Sequence, residues 1–300
     1  MKNRLILMFL GFVLLFSVAG IGGGCGESIT TNFYYYPDWT PDGKIICSKN
    51  KQVKTQGTGA IGGSGGSVSN YYTLTIMDAD GSNERDIRGI ENSAKVAASP
   101  LGNYYAYSCR TSATNSIIKV VNTSGTEIST INLTSEVSIL DWSSDEGELI
   151  YGLFGTAEVY IVNRDGANKR LLGNGYGFSW RYGKNIVFEK RLPSLAYEVV
   201  LIDGTNYSEL FAYPKIQGGE FNISKSNTDE VFYRGAYESG IKKFLLSSPE
   251  ADPVLLINRN DLWNIKLSQD GQKILASGPN TSGVEIWLIN TNGTSLKEIR

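Results

Sequence analysis

A turn of the form W-x-P-D-G that recurs along the chain, Asp-Gly turns interleaved with it, and strands apolar on both faces predict an all-β fold: a six-bladed β-propeller of four-stranded antiparallel blades. The first unit opens with Asp38-Trp39-Thr40-Pro41-Asp42-Gly43 and runs into Lys44-Ile45-Ile46-Cys47-Ser48. The second copy is Ala98-Ser99-Pro100-Leu101-Gly102 before Tyr104 to Tyr107, and the third is Asp141-Trp142-Ser143-Ser144-Asp145-Glu146-Gly147 before Leu149-Ile150-Tyr151. A shorter copy, Ser179-Trp180-Arg181-Tyr182-Gly183, precedes Ile186-Val187-Phe188. The fifth is eroded, from Ser224 to Glu230 before Val231-Phe232-Tyr233, and the sixth is Leu267-Ser268-Gln269-Asp270-Gly271 before Lys273-Ile274-Leu275.

The interleaved turns fall at Asp80-Gly81, Gly125, Asp165-Gly166, Asp203-Gly204 and Gly293, with Ser248-Pro249 in the fifth unit. Their glycines stand 44, 41, 38 and, across two units, 89 residues apart, and about 44 residues is the period of a propeller blade. Asp-Gly closes a hairpin because glycine enters positive φ without steric cost. The strand Glu158-Val159-Tyr160-Ile161-Val162 is apolar at nearly every position, as a strand buried on both faces must be. A four-stranded sheet cannot bury two faces alone, so the units are expected to close radially. Seven blades is the alternative, with Ile29 to Tyr36 pairing onto the last blade. Ser295 to Arg300 reads as a final outer strand.

Charge and composition narrow the function classes. The net charge is −2 and the pI near 5.5, which leaves no electrostatic footprint for nucleic acid. Histidine is absent, which excludes a Ser-His-Asp or Cys-His mechanism within this chain and removes the commonest zinc ligand. No catalytic, cofactor-binding or metal-binding residue is therefore assigned, although carboxylate, tyrosine or lysine chemistry stays open.

Lys2 and Arg4 precede an apolar run from Leu5 to Val18, then small residues from Ala19 to Gly24 and Cys25. A positive, an apolar and a small-residue region in that order form an export signal. A cysteine directly after them resembles a bacterial lipobox, which implies lipidation of Cys25 after removal of residues 1–24. Gly22 stands where that pattern prefers Leu, Val or Ala. Cleavage after Ser17-Val18-Ala19 and an uncleaved anchor are the other readings, the latter disfavoured by a run short of the roughly 20 residues that span a bilayer. The expected organisation is a signal over 1–24, a short linker over 25–32 and one propeller over 33–300.

Other motifs have plainer readings. Gly57 to Gly62 fits G-x-G-x-x-G and Gly62 to Gly66 fits G-x-S-x-G, but the first lacks the strand and helix a dinucleotide site requires and the second lacks a histidine. Asp78-Ala79-Asp80-Gly81 lacks the further ligands of a calcium loop. Trp39, Trp142 and Trp180 recur at one place in the repeat and are expected to pack between blades. Tyr34-Tyr35-Tyr36 and Tyr104-Tyr105 suit packing or, less well, sugar stacking. Cys47 and Cys109 fall in strands, as small buried hydrophobes or as a disulfide. The Gly/Ser-rich insertion from Ser48 to Asn70 and the joints Arg110–Ser116 and Lys190–Tyr197 are expected on one face, away from the Asp-Gly turns. Such a face is where scaffolds carry binding, unless the loops are tolerated excursions.

The W-x-P-D-G turns, together with Ile76-Met77-Asp78-Ala79-Asp80-Gly81 and Tyr160-Ile161-Val162-Asn163-Arg164-Asp165-Gly166, resemble the TolB-type, WD40-like repeats of bacterial periplasmic propellers, over roughly Phe33 to Arg300. The separate α/β domain of TolB and the hydrolase domain of prolyl-oligopeptidase-like enzymes have no counterpart in it. The resemblance implies a non-catalytic scaffold that binds protein partners of the cell envelope, held to a membrane by its lipid anchor. The rival readings are a propeller enzyme, a carboxylate-based hydrolase or lyase, and a small-molecule or glycan sensor.

Overall fold

The computed structural model describes residues 28–299, apart from 56–66, 93, 113–114, 181–182, 184, 195, 215, 217–218, 225–228, 236–238 and 280–283. The signal segment, Cys25, the glycine-rich patterns at 57–66 and part of the fourth and fifth turns lie outside the described residues. Every described element is a β-strand.

The first sheet holds β1 (Ser28–Trp39), β2 (Ile45–Thr55), β3 (Ser67–Met77) and β4 (Arg85–Ile90), and the second holds β5 (Val96–Ala98), β6 (Tyr104–Arg110), β7 (Ser116–Asn122) and β8 (Glu127–Leu133). A seven-stranded sheet follows: β9 (Val137–Trp142), β10 (Glu148–Leu153), β11 (Glu158–Asn163), β12 (Arg170–Ser179), β13 (Asn185–Arg191), β14 (Tyr197–Asp203) and β15 (Glu209–Tyr213). The last two sheets are β16 (Gly219–Ile223), β17 (Glu230–Gly235), β18 (Ile241–Leu245) and β19 (Val254–Ile257), then β20 (Trp263–Leu267), β21 (Lys273–Pro279), β22 (Val284–Asn290) and β23 (Lys297–Glu298). All pairings are between chain neighbours and antiparallel. Ile29 to Tyr35 pair with β2 rather than with the last sheet, and β1 begins inside the segment expected to be linker.

The seven-stranded sheet turns on one element. The first half of β12 pairs with β11, through Arg170 to Asn174, and its second half pairs with β13, through Gly175 to Ser179. One strand is thus the outer edge of one meander and the inner edge of the next.

The inner strands pack as a closed ring: β1 on β5, β5 on β9, β9 on β12, β12 on β16, β16 on β20 and β20 on β1. The apolar clusters lie between neighbouring sheets, except one that lies between the two halves of the seven-stranded sheet. Ile46 and Leu74 of the first sheet meet Ala98, Tyr105 and Val121 of the second, and Tyr34, Trp39 and Ile45 meet Leu275 and Ile286 of the last. Faces that no single sheet could cover are covered by the next one round, and the chain is an all-β propeller.

Antiparallel order places the β1–β2 and β3–β4 turns of each meander at one end of the ring and the β2–β3 joints at the other. The Asp78 segment is a hairpin turn, with the Gly81 N–H donating to the Asp78 carbonyl at 2.9 Å and Gly81 at φ 84°. As expected, Trp39 and Trp142 are buried between sheets, and Trp180 is buried between the two halves of the seven-stranded sheet. Cys47 and Cys109 are buried free thiols.

Candidate functional site: the mouth of the channel

The inner strands carry a register that the turns reveal. In most units a hydroxyl side chain closes the first turn: Thr40, Ser99, Ser143 and Ser268 each accept the N–H of the residue at, or just before, the start of the next strand. Two positions earlier sits a residue that joins one sheet to the next. The buried Asp38 carboxylate accepts the N–H of Trp39 and, across the junction, of Ala98, both at 2.8 Å. Asp141 accepts from Trp142 at 2.9 Å and Trp180 at 3.3 Å. Ser179 Oγ accepts from Ile223 and Asn222 Oδ1 from Leu267, at 3.3 and 3.2 Å. Where Ala97 offers no such group, the Trp142 indole N–H donates to the Ala97 carbonyl at 3.1 Å.

Two positions earlier again, the same register gives Tyr36, Lys95, Ile139, Gly177, Glu220 and Asn264. Strand period two keeps Ile139 and Glu220 on the face of the joining residues, towards the axis; Tyr36, Gly177 and Asn264 fall at register shifts in β1, β12 and β20, and Tyr36 and Asn264 line the same cavity as Lys95. Two small cavities occupy the channel at this level. One, of about 30 Å³, is lined by Tyr36, Lys95, Ile139, Asn264 and Lys266 among others. The second, of about 110 Å³, is lined by Ile139, Tyr176, Glu220, Asn264 and Lys266 among others. Ile139, Glu220 and Asn264 lie near the entry ends of β9, β16 and β20, and Lys95 just before β5, on the side of the long β2–β3 joints; Tyr36 and Gly177 lie further along the longer β1 and β12.

The electrostatics of this mouth are unusual for a surface. The Lys95 ammonium stands over the Tyr36 ring, 3.7 Å from its centroid, a cation–π contact. Burial pushes its pKa down to about 8; Glu220 and Glu136 oppose the fall and Lys266 adds to it. Burial, then Glu136, Tyr35 and Glu220, hold the Tyr36 hydroxyl above its ordinary value. Glu220 Oε2 accepts the Ile265 N–H at 3.1 Å, and Glu136 is paired with Arg110. The Asn264 amide nitrogen is buried with no hydrogen-bond partner among the described residues. Beside the mouth, burial raises the Glu189 carboxyl to about 7, opposed by the N–H groups of Gly219 and Gly177. Tyr176 lies on the rim, 42 % exposed and 5.7 Å from the Tyr197 ring.

Above the mouth the first sheet extends further than the others. β2 and β3 have 11 residues each against seven in β6 and six in β10, an overhang of roughly 15 Å at about 3.3 Å per residue. On it, Ile29 and Val68 face the same side across Lys54, 53 and 54 % exposed.

The long joints of this face were legible in the sequence; the residues that line the mouth were not. Tyr36 belonged to a run expected to pack, and only Tyr34 of that run is buried, its hydroxyl donating to Glu84 Oε2 at 2.8 Å. Lys95, Tyr176, Glu220, Asn264 and Lys266 carried no motif. Lys95, Glu220 and Asn264 share an offset of four residues before the turn serine, the signal that would have exposed them; Lys266 and Tyr176 stand outside it.

Among the described residues no group of three or more Cys, Asp or Glu is placed to hold a metal ion. No protein-family model and no curated protein sequence matches the chain. Among solved structures it is similar to TolB from Acinetobacter baumannii, with a TM-score of 0.58 and 12% identity over 89% of this chain and 78% of that one. It is similar to a chain of a nidogen/laminin complex, at 0.58 and 10% over 90% and 92%. An oligogalacturonate lyase in complex with manganese matches at 0.53 and 10% over 89% and 98%. The fold these structures share with the chain is the β-propeller.

Proposed function

We propose that the chain is a non-catalytic docking scaffold of the cell envelope, a six-bladed propeller that binds a protein partner on its channel-mouth face. The blade count follows from dividing the seven-stranded sheet at β12, which then serves two four-stranded units. Residues 1–24 act as the export signal, and Cys25 carries the lipid that holds the propeller to its membrane.

The observation that carries this reading is the combination at the mouth of uncommitted buried polar groups with cavities too small for a ligand. Small-molecule sites usually enclose about 300 Å³ or more, and the two cavities are about 30 and 110 Å³. A partner that covers the mouth, reaches in with one side chain and leans on the exposed apolar overhang fits such a surface. The propellers of TolB and of the nidogen/laminin complex support the reading by fold.

A second reading has a specific observation in its favour. A buried lysine with its pKa lowered to about 8, beside a tyrosine and a carboxylate, is the kind of group that abstracts a proton, and the lyase shares the fold. Cavity size argues against it.

Affinity capture of the anchored protein tests the choice. A reproducible envelope protein, lost when Lys95 and Lys266 are both replaced by Met, is expected. A co-purifying small molecule with no protein would favour the enzyme or sensor. Metabolic labelling with a palmitate analogue is expected to mark the protein and to fail on Cys25→Ala; no label on the unsubstituted chain would refute lipidation.

A further inference from the structure

We infer that the channel mouth is a receptor for a single carboxylate group, contributed by an acidic side chain or the free C-terminus of a protein segment that enters it. The source of the carboxylate rests on the docking reading; the chemistry of the site does not.

The cavity walls bring together three donor side chains, Lys95, Lys266 and Asn264, with Glu220 as the one carboxylate in the lining. Asn264 Nδ2 is buried and has no hydrogen-bond partner among the described residues. Lys95 has the Tyr36 ring as its neighbour, and no described carboxylate lies within ion-pair distance of it or of Lys266, which lines both cavities. Of the nearby carboxylates, Glu220 has one oxygen on the Ile265 N–H and Glu136 is engaged by Arg110. A buried donor without an acceptor is rare in a folded protein, and two ammonium groups beside one raise the local potential further.

Charge and size choose among anions. Lys95 and Lys266 against Glu220 leave room for one negative charge, whereas a dianionic phosphate would face Glu220 and Glu136 at close range. A cavity of about 110 Å³ admits a carboxylate and its first carbons, but not a sugar ring or a nucleotide. Tyr176 and Tyr197 provide an apolar flank for the chain that carries the group. Asn264 is itself held at φ 51°, a left-handed conformation that asparagine tolerates better than most residues.

The test is a titration of the chain labelled with ¹⁵N in its asparagine side chains, following the Asn264 amide, whose signal is assigned by its loss in Asn264→Asp. Acetate and N-acetylglycine are expected to shift it saturably, and N-acetylglycinamide is expected to leave it unmoved. Lys266→Met and Lys95→Met should each weaken acetate binding about tenfold, with Lys266→Arg restoring most of it. No saturable shift with acetate, an equal response to the amide, or tighter binding of inorganic phosphate would each overturn the assignment. A saturable acetate response together with no protein captured on this face would keep the receptor and refute the docking reading.

Discussion

Asp38 does what hydrogen bonds within one sheet cannot: it connects two sheets through backbone N–H groups while itself fully buried. Asp38→Ala leaves both N–H groups without that acceptor, and a cost of about 3 kcal/mol is expected in urea unfolding, part of it recovered by Asp38→Asn. Lys95 contributes in the opposite sense. Its pKa falls from 10.5 to about 8 on burial, so between those values the folded chain holds fewer protons than the unfolded one. Stability should therefore rise with pH through that window. Lys95→Met is expected to abolish the rise and to stabilise the protein at pH 7 by about 2–3 kcal/mol, measured by denaturation at pH 7 and pH 10.5. Neither role was legible beforehand. Asp38 and Asp141 lie inside the recognised turn motif, but nothing in the chain says that their carboxylates cross to another sheet. A lone lysine just before a three-residue strand reads as surface until the ring places it on the axis.

Most strands fell where alternation and turn chemistry put them, because blade strands sit between apolar clusters and most turns have glycine at positive φ. The expected insertion from Ser48 to Asn70 is an exception, since Ser48 to Thr55 and Ser67 to Asn70 pair as strand in β2 and β3. β12 is another. Arg170 to Ser179 contains glycines at 173, 175 and 177, which erase any apolar alternation. Their reason is close approach. A Cβ at Gly177 would lie 1.8 Å from the Gly219 carbonyl oxygen, and one at Gly175 would lie 1.6 Å from the Glu189 carbonyl oxygen. Gly177→Ala is expected to cost more than about 3 kcal/mol or to abolish soluble expression, since the Gly219 carbonyl it would strike is backbone of β16, a strand of the ring. Gly89→Ala, with nothing within 4 Å of the added carbon, should stay within about 0.5 kcal/mol. Equal losses in the two variants, read from chemical denaturation, would contradict the account of β12.

At the scale of the whole molecule the repeat was legible because each unit spends its recognisable residues on turns and packing. For the same reason it left the channel blank: the positions facing the axis differ from unit to unit, as Tyr36, Lys95, Ile139, Gly177, Glu220 and Asn264 do, and no motif can repeat what does not recur. The joints were expected on one face, and antiparallel order puts the mouth and the blade-one overhang there together. The central claim is that this face, not the face of the Asp-Gly turns, meets the partner. Photo-crosslinking in intact cells tests it directly, with a photoreactive phenylalanine analogue in place of Tyr176 at the rim or of the exposed Asp80 on the opposite face. The account predicts a discrete protein adduct from position 176 and none from position 80; adducts from position 80 alone, or from neither, would contradict it.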